Sequence, residues 1–292
     1  MSGQGLAFTV PVGACDSHVH VFPDGDRFPF VAKRVYTPQA APAAALDTYL
    51  SSLGLQRVVV VQPSIYGANN GALLATLDAL GTDEARGVAA IGAEISDGKL
   101  DDMHRRGVRG ARLNLEMEGE SDPTRSGQRL RDVADRIARL GWHIQIFCLS
   151  DMIAALADVL ADLPVPLVFD HLGGIAAARG IDQPGFRIVL ALLKSEKAYV
   201  KASGAYLCSQ AAPDFADVVP FAQAAIAANP DRVVWGSNWP HPDGTRGPDP
   251  FTVRPFLPIG HNETLNLLAR WAPDAGTRQK ILVDNPARLY GF

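Results

Sequence analysis

Short apolar runs recur along the chain, and each is followed by a polar stretch or by a stretch with helical spacing. Most runs are four to eight residues long and rich in valine or isoleucine, which is typical of strands buried on both faces. They predict eight strands, at 14–20, 57–63, 87–94, 107–115, 143–148, 166–171, 198–204 and 232–238.

Segments with helical spacing lie between these runs, and several end in Gly or Asn-Pro, which stop helices. The clear ones are 42–54, 69–81, 127–141, 150–163 and 214–230, and a short final helix is predicted at 285–292. Strands that alternate with helices imply βαβ units and a parallel sheet.

Eight such units in 292 residues fit a (β/α)8 TIM barrel of one domain spanning 1–292. The competing doubly wound sheet is disfavoured because no GxGxxG or P-loop sequence follows a strand. Long loops at about 21–41 and 241–261 follow the first and last strands. Both are predicted to lie at the C-terminal face, where the active sites of such barrels are found.

Charge and composition narrow the possible partners. The 27 Lys and Arg against 31 Asp and Glu give a net charge of −4, so the chain lacks a basic field for nucleic acid or an anionic membrane. Three widely spaced cysteines support neither a disulfide framework nor a Cys-rich zinc site. With no signal peptide and no apolar run of about 18 residues, we expect a cytoplasmic protein. A homo-oligomer remains open.

The sequence DSHVH at the end of the first strand is the sharpest chemical signal. Side chains alternate along a strand, so His18 and His20 are predicted to point to the same side, into the barrel. Buried imidazoles need polar partners, which makes such a pair costly unless it has a function.

Two further strand ends carry polar residues. FDHLGG places His171 at the end of the sixth strand, and WGSNWPHP places Asn238 at the end of the eighth. Strands one, six and eight meet at one mouth only if the chain closes into a barrel. A satisfied core histidine and a left-handed turn residue are the structural alternatives for His171 and Asn238.

In their order and spacing, DSHVH, VVVQPS, GARLNL, FDHLGG, WGSNWPHP and NPARLY resemble the amidohydrolase superfamily. They resemble most the branch that contains the pyrone-dicarboxylate lactonases. The resemblance covers nearly the whole chain and implies a distorted (β/α)8 barrel that acts at a lactone or similar carbonyl carbon.

The resemblance also implies site residues. His18, His20 and His171 match the family's histidines on strands one and six. Asn238 stands at the strand-eight site position. The implied substrate contacts are Ser64, Arg112, Tyr36 and, beside Asn238, His241.

Departures from the family pattern change the expected chemistry. The family has Asp where this chain has Asn238, and that Asp acts as a base on water or as a metal ligand. An amide has no titratable proton near neutral pH and is a poor metal ligand. GVRGARLNL also lacks the lysine that bridges two metals in other members. We therefore expect no metal cofactor; a single zinc at His18 and His20 is the alternative.

Missing arginines make a planar pyrone dicarboxylate an unexpected substrate. Glu118 stands where the resemblance implies an arginine, and SGAYLC contains none. Phe147 stands where the resemblance implies a substrate-facing tyrosine. A second carboxylate is then held only if Lys201, Arg27 or Arg34 reaches it, although Lys lacks the two-point grip of a guanidinium.

Without a base on water, a substrate hydroxyl can serve as the nucleophile. The site pattern resembles that of the galactarolactone isomerases of this branch. It predicts isomerisation of an aldaric lactone, galactaro-1,5-lactone to the 1,4-lactone, by intramolecular acyl migration. A lactonase for a sugar-acid or muconolactone-type lactone is the alternative. A zinc-dependent decarboxylase and a non-catalytic binding barrel are weaker hypotheses.

Overall fold

Eight parallel strands follow chain order around one sheet, as the alternating pattern predicts. The computed structural model describes residues 5–23, 27–92 and 94–292. The strands are β1 (Cys15–Val19), β2 (Arg57–Val61), β3 (Ala85–Ala89), β4 (Val108–Asn114), β5 (His143–Phe147), β6 (Leu167–Phe169), β7 (Ala198–Ser203) and β8 (Val233–Gly236). The predicted barrel is confirmed.

The sheet closes where the end of β1 meets the residues that follow β8. The backbone N–H of Asn238 donates to the carbonyl of His18 at 2.9 Å, and the N–H of His20 donates to the carbonyl of Trp239 at 2.8 Å. The seam of the barrel thus brings both strand-one histidines beside Asn238.

Helices cover the outside of the barrel. They are α1 (Ala43–Leu53), α2 (Gly71–Leu80), α3 (Asp97–Arg105), α4 (Leu115–Glu118), α5 (Pro123–Ile137), α6 (Ser150–Ala155), α7 (Ala157–Asp162), α8 (His171–Gly174), α9 (Pro184–Lys194), α10 (Ala205–Cys208), α11 (Val219–Ala228), α12 (His261–Trp271), α13 (Ala275–Gln279) and α14 (Asn285–Tyr290). None of the helices in these described ranges is long and apolar enough to cross a bilayer.

Several predicted helix boundaries were wrong, for local reasons. The helix predicted at 127–141 begins at Pro123, because the Asp122 side chain accepts from the first-turn N–H groups and Pro is well placed at the first position. The helix predicted at 214–230 begins only at Val219, after a 3₁₀ turn. The one predicted at 150–163 breaks at Leu156, whose φ and ψ are −96° and 5°.

The two long loops are partly ordered against each other. Thr37–Pro38 pairs with Val253–Arg254 as a short parallel ladder. The Thr37 hydroxyl also donates to the carbonyl of Pro250 at 2.7 Å. The predicted first loop is therefore not wholly irregular; its residues 24–26 lie outside the described residues.

Candidate active site

A cavity of about 300 Å³ opens at the C-terminal ends of the strands. Six of the eight predicted site residues line it: His20, Tyr36, Ser64, Arg112, His171 and Asn238. The other two are buried beside it, with His18 against His20 and His171, and His241 against Tyr206. The strand-end positions thus converge, while the role of each residue stays a prediction.

His18 and His20 face each other, as the period of two along β1 predicts. Their Nε2 atoms lie 3.3 Å apart. The Nδ1 atom of His20 lies 2.7 Å from the carbonyl of Val61, which can only accept, so Nδ1 carries a proton. Burial, helped by the positive charge of Arg112, lowers the pKa of His20 to about 3 and keeps the ring neutral at pH 7.

A buried carboxylate, Asp170, lies directly behind this pair. Its Oδ1 is 3.2 Å from Nδ1 of His18 and 3.6 Å from Nζ of Lys201. Burial alone would raise the pKa of Asp170, but His18 and the nearby cations outweigh it and hold this pKa well below its usual range. Asp170 is therefore a permanent anion within the barrel.

Arg112 connects this anion to the cavity. Its Nε and one terminal nitrogen each donate to Asp170 Oδ2 at 3.3 Å, and the other terminal nitrogen donates to the carbonyl of Gln62 at 3.0 Å. These contacts use three of the five N–H groups of the guanidinium. The side chain is held rigidly, and its remaining N–H groups are available to a substrate carboxylate.

His171 sits on a sharp turn immediately after β6. It has a φ of 48° and the next residue, Leu172, has a φ of 54°, a left-handed conformation that is strained for such side chains. Its Nδ1 lies 2.9 Å from the Ser203 hydroxyl. Burial lowers the pKa of His171 to about 4, so this ring also enters the cavity neutral.

Asn238 is both a turn residue with left-handed backbone and a residue of the cavity wall, the two alternatives that the sequence allowed. Its φ of 65° is that of a left-handed turn residue, and its amide also lines the cavity. Nδ2 donates to the hydroxyl of Tyr206 at 2.7 Å, and that hydroxyl lies 3.3 Å from Nδ1 of His241. Oδ1 of Asn238 is buried with no hydrogen-bond partner among the described residues. It is an unused acceptor at the cavity.

Three residues of this site, Asp170, Tyr206 and Gln145, were not predicted from the sequence, and a fourth, Lys201, was predicted only as a cation for a second substrate carboxylate. Asp170 stands in FDHLGG directly before His171, which was a readable signal, and Tyr206 follows β7 within SGAYLC. Gln145 and Lys201 lie inside strands β5 and β7 and carry no comparable mark. Their amide oxygen and ammonium are 2.7 Å apart.

The cations suggested for a second carboxylate lie elsewhere. Lys201 is fully buried on Asp170 and is not at the cavity wall. Arg34 packs on the ring of Phe251, and Arg27 packs on that of Phe28. The described residues therefore place Arg112 as the guanidinium at this cavity.

Three side chains of this site could in principle act together as ligands of a metal ion. His18, Asp170 and His171 present ligand atoms within 4.8 Å of one another. Lys201 and Arg112, however, already contact Asp170 at 3.6 and 3.3 Å. A divalent cation among these ligands would face two buried positive side chains in a medium of low dielectric. This donor set does not fit a divalent metal ion.

Known proteins resemble this chain over nearly its full length. A 2-pyrone-4,6-dicarboxylate hydrolase from Comamonas testosteroni is 37% identical, covering 97% of this chain and 92% of the relative. A 4-sulfomuconolactone hydrolase from Rhizobium radiobacter is 35% identical, covering 98% and 92%. A D-galactarolactone isomerase from Agrobacterium fabrum is 26% identical, covering 99% and 95%.

A solved structure and a comparison with a protein family both agree with the similarity to these relatives. A solved structure from Pseudomonas putida, described as a 2-pyrone-4,6-dicarboxylic acid hydrolase, superposes with a TM-score of 0.80. It is 31% identical, and the match covers 96% of this chain and 98% of that one. The sequence model of the amidohydrolase family matches residues 15–292. The chain is an enzyme of the amidohydrolase family.

Proposed function

We propose that the protein isomerises an aldaric lactone, converting galactaro-1,5-lactone to the 1,4-lactone by intramolecular acyl migration. One observation carries this proposal: the strand-eight position at the cavity holds an amide, Asn238, whose buried Oδ1 has no partner in the described structure. Such an oxygen accepts a hydrogen bond from a substrate hydroxyl but does not take its proton. It orients an alcohol without generating hydroxide.

The reaction suits a rigid cavity. The attacking hydroxyl and the carbonyl belong to one molecule, so the cavity needs only to hold the conformer in which they meet. Arg112 binds the free carboxylate of the substrate, because two of its N–H groups remain after those used by Asp170 and Gln62.

His171 is the expected acceptor of the hydroxyl proton. The Ser203 hydroxyl donates to the carbonyl of Lys201 at 3.5 Å, so its oxygen accepts from Nδ1–H of His171. Nε2 of the neutral ring then carries the lone pair that a base needs. The lowered pKa of about 4 keeps this Nε2 unprotonated at pH 7, so it can accept the hydroxyl proton as the new C–O bond forms.

Hydrolysis is the second candidate, and two observations favour it. The relatives at 35% and 37% identity are both named as hydrolases, whereas the isomerase is only 26% identical. The same Nε2 of His171 would deprotonate a water in the place of the substrate hydroxyl. In both reactions an oxygen attacks the carbonyl carbon of the lactone. In isomerisation that oxygen belongs to a substrate hydroxyl, and in hydrolysis it belongs to water.

The proposal includes a reaction that needs no metal ion, because positive side chains already surround the carboxylate of Asp170. The two cations on Asp170 oppose a divalent ion at the same carboxylate. We expect exhaustive chelation to leave turnover within about twofold of the untreated rate. Turnover lost on chelation and restored by zinc would contradict this expectation.

Proton NMR of fresh galactaro-1,5-lactone with chelator-treated protein tests the proposal. We expect the 1,4-lactone to form faster than in buffer and before any open-chain galactarate. Accelerated galactarate alone would establish the hydrolase instead. If neither product is accelerated, the aldaric substrate is wrong, and muconolactone-type lactones should be assayed next with the His171→Ala variant as the inactive control.

A further inference from the structure

His241 is buried beside the cavity, and its ring contacts the cavity wall through Tyr206. The two rings meet edge to face, with their centroids 5.7 Å apart. Nδ1 of His241 lies 3.3 Å from the Tyr206 hydroxyl, whereas Nε2 is buried without a hydrogen-bond partner among the described residues. The hydroxyl of Tyr206 is therefore the polar group to which this ring is connected.

The same hydroxyl contacts the amide of Asn238. Nδ2 of Asn238 lies 2.7 Å from it, and an amide nitrogen can only donate, so the hydroxyl oxygen accepts this hydrogen bond. The hydroxyl has one proton of its own, and Nδ1 of His241 is the acceptor within reach among the described side chains. In this arrangement His241 is a neutral ring that carries its proton at Nε2.

The reverse arrangement is also complete, and it presents a different group to the cavity. If His241 carried its proton at Nδ1, that N–H would donate to the Tyr206 oxygen. The hydroxyl would then donate to Asn238, whose amide would have to turn over so that its oxygen accepts. The tautomer of His241 and the end of the Asn238 amide that faces the cavity are therefore coupled.

The structure contains the first of these two arrangements. Nδ2 of Asn238 faces Tyr206, and Oδ1 is the buried atom that has no partner in the described part of the chain. The backbone keeps the two ends of the chain together, because the N–H of His241 donates to the carbonyl of Asn238 at 2.8 Å. Both residues are left-handed, with φ values of 64° and 65°.

We propose that His241 is a positioning residue. Acting through the Tyr206 hydroxyl, it holds the Asn238 amide with Oδ1 toward the cavity. The use of this oxygen, which accepts a hydrogen bond from the attacking hydroxyl, rests on the proposed isomerisation. The orientation of the amide rests on the hydrogen bonds of these three side chains.

The protonation state of His241 agrees with this role. Burial, with a contribution from the charge of His261, lowers the pKa of His241 to about 3. The ring is therefore neutral at pH 7, and one of its nitrogens is bare and can accept the proton of the Tyr206 hydroxyl.

Long-range ¹H–¹⁵N correlation spectra of ¹⁵N-histidine-labelled wild-type protein test the arrangement directly. The signals that disappear in His241→Asn identify His241. We expect its proton at Nε2 and a bare Nδ1 at pH 7, and a proton at Nδ1 would overturn the proposal. The spectra need no substrate, so they decide the orientation even if the isomerase assignment fails.

The variants His241→Asn and His241→Leu separate the acceptor from the volume of the side chain. The amide oxygen of Asn stands at about the place of Nδ1, and Asn adopts a left-handed φ readily. Leu has a similar shape and no acceptor. We expect kcat within threefold of wild type in His241→Asn and about tenfold lower in His241→Leu, with KM changed less than threefold in both. Equal kcat values in the two variants would overturn the proposal.

A double-mutant cycle tests whether His241 acts through Tyr206. Once Tyr206→Phe has removed the hydroxyl, His241→Leu should lower kcat no further, because the two residues act as one unit. Losses that multiply in the double variant would show that His241 acts by packing, which contradicts the proposal.

His261→Leu is the matched control for His241→Leu. Its ring also lies beside His241, at 6.5 Å, but it packs edge to face against Tyr49, so we expect kcat to stay unchanged. A loss equal to that of His241→Leu would assign the effect to packing. If His241→Leu fails to fold, the wild-type spectra and the kinetics of His241→Asn still decide the proposal.

Discussion

Asn238 occupies the position at which a carboxylate would make a base for water. Replacing Nδ2 by an oxygen keeps the shape of the side chain but turns the amide into a carboxylate, which supplies that base. In Asn238→Asp we expect hydrolysis of the lactone to rise about 100-fold relative to isomerisation, the lower end of the range that general bases contribute. The ratio of open-chain acid to 1,4-lactone in NMR time courses measures this change.

Asn238→Ala is the control for that substitution, because it removes the oriented amide without adding a base. It should lose isomerisation and gain no hydrolysis. Equal product ratios in the Asp and Ala variants would show that the amide does not select the nucleophile.

Tyr206 is the residue that holds Asn238 in place. In Tyr206→Phe the amide loses its 2.7 Å partner, and His241 loses the hydroxyl beside it. Leaving the buried Nδ2 without its partner costs about 1–3 kcal/mol, so we expect the free energy of unfolding to fall by about that amount. We expect kcat to fall about tenfold, because the Asn238 amide is no longer held in one orientation. Steady-state kinetics and a thermal melt measure the two effects.

Tyr66→Phe is the matched control for Tyr206→Phe. Tyr66 is also buried, but its hydroxyl has no partner among the described side chains and does not line the cavity. Its removal should leave kcat unchanged. If both variants lose activity equally, the effect comes from packing and not from the Asn238 amide.

At the scale of elements, the turn after β6 is the segment that fixes His171. Gly174 in this turn has a φ of 61°, and a side chain there would overlap the carbonyl oxygen of Cys148. Gly174→Ala should therefore combine backbone strain with a steric clash, and we expect it to lower the free energy of unfolding by about 3 kcal/mol or more. Urea denaturation measures this loss.

Gly141 separates backbone strain from steric clash. Its φ of 64° and ψ of 22° are left-handed, but no described atom lies within 4 Å of where its Cβ would be. Gly141→Ala should cost only the strain, about 1 kcal/mol. Similar losses in the two variants would mean that the turn relaxes and does not fix His171 by steric contact.

The pattern of apolar residues predicted which elements form, but not where the helices begin. Strands β1, β2 and β4 to β8 lie within the predicted runs, because Val-rich segments of this length are buried on both faces in a parallel barrel. Strand β3 overlaps its predicted run at 87–94 but begins two residues before it. Helix α5 begins four residues before its prediction, since its cap, Asp122, is a polar residue outside the apolar pattern.

At the scale of the whole molecule, buried neutral histidines make stability depend on pH. Burial lowers the folded-state pKa to about 3 or 4 for His20, His143, His171 and His241, against about 6.5 in the unfolded chain. Between these values the unfolded state binds more protons. The stability they contribute is present above pH 6.5 and is lost as the pH falls toward 4, by up to about 1.4 kcal/mol per pH unit for each histidine.

Urea denaturation at pH 7, 6 and 5 measures that slope. His143→Gln removes one of these histidines outside the cavity, so it should flatten the slope and leave the activity at pH 7 intact. A wild-type free energy of unfolding that stays constant from pH 7 to 5 would contradict the expectation.

The sequence by itself determined the barrel, the strand ends and the inward side of His18 and His20. These properties depend on local periodicity, which is two residues per repeat in a strand and 3.6 in a helix. A short segment of the chain is therefore enough to specify them. Even Asn238 was identified in this way, because strand ends in a closed barrel must meet.

Only the tertiary structure decided what those residues contact. Lys201 and His18 are 183 positions apart, and Arg112 and Asp170 are 58 apart. Whether such side chains meet depends on the register between strands and on the turn that directs each side chain, and no short segment encodes either. This register places the buried ammonium of Lys201 against Asp170. That contact supports the proposed metal independence of the site.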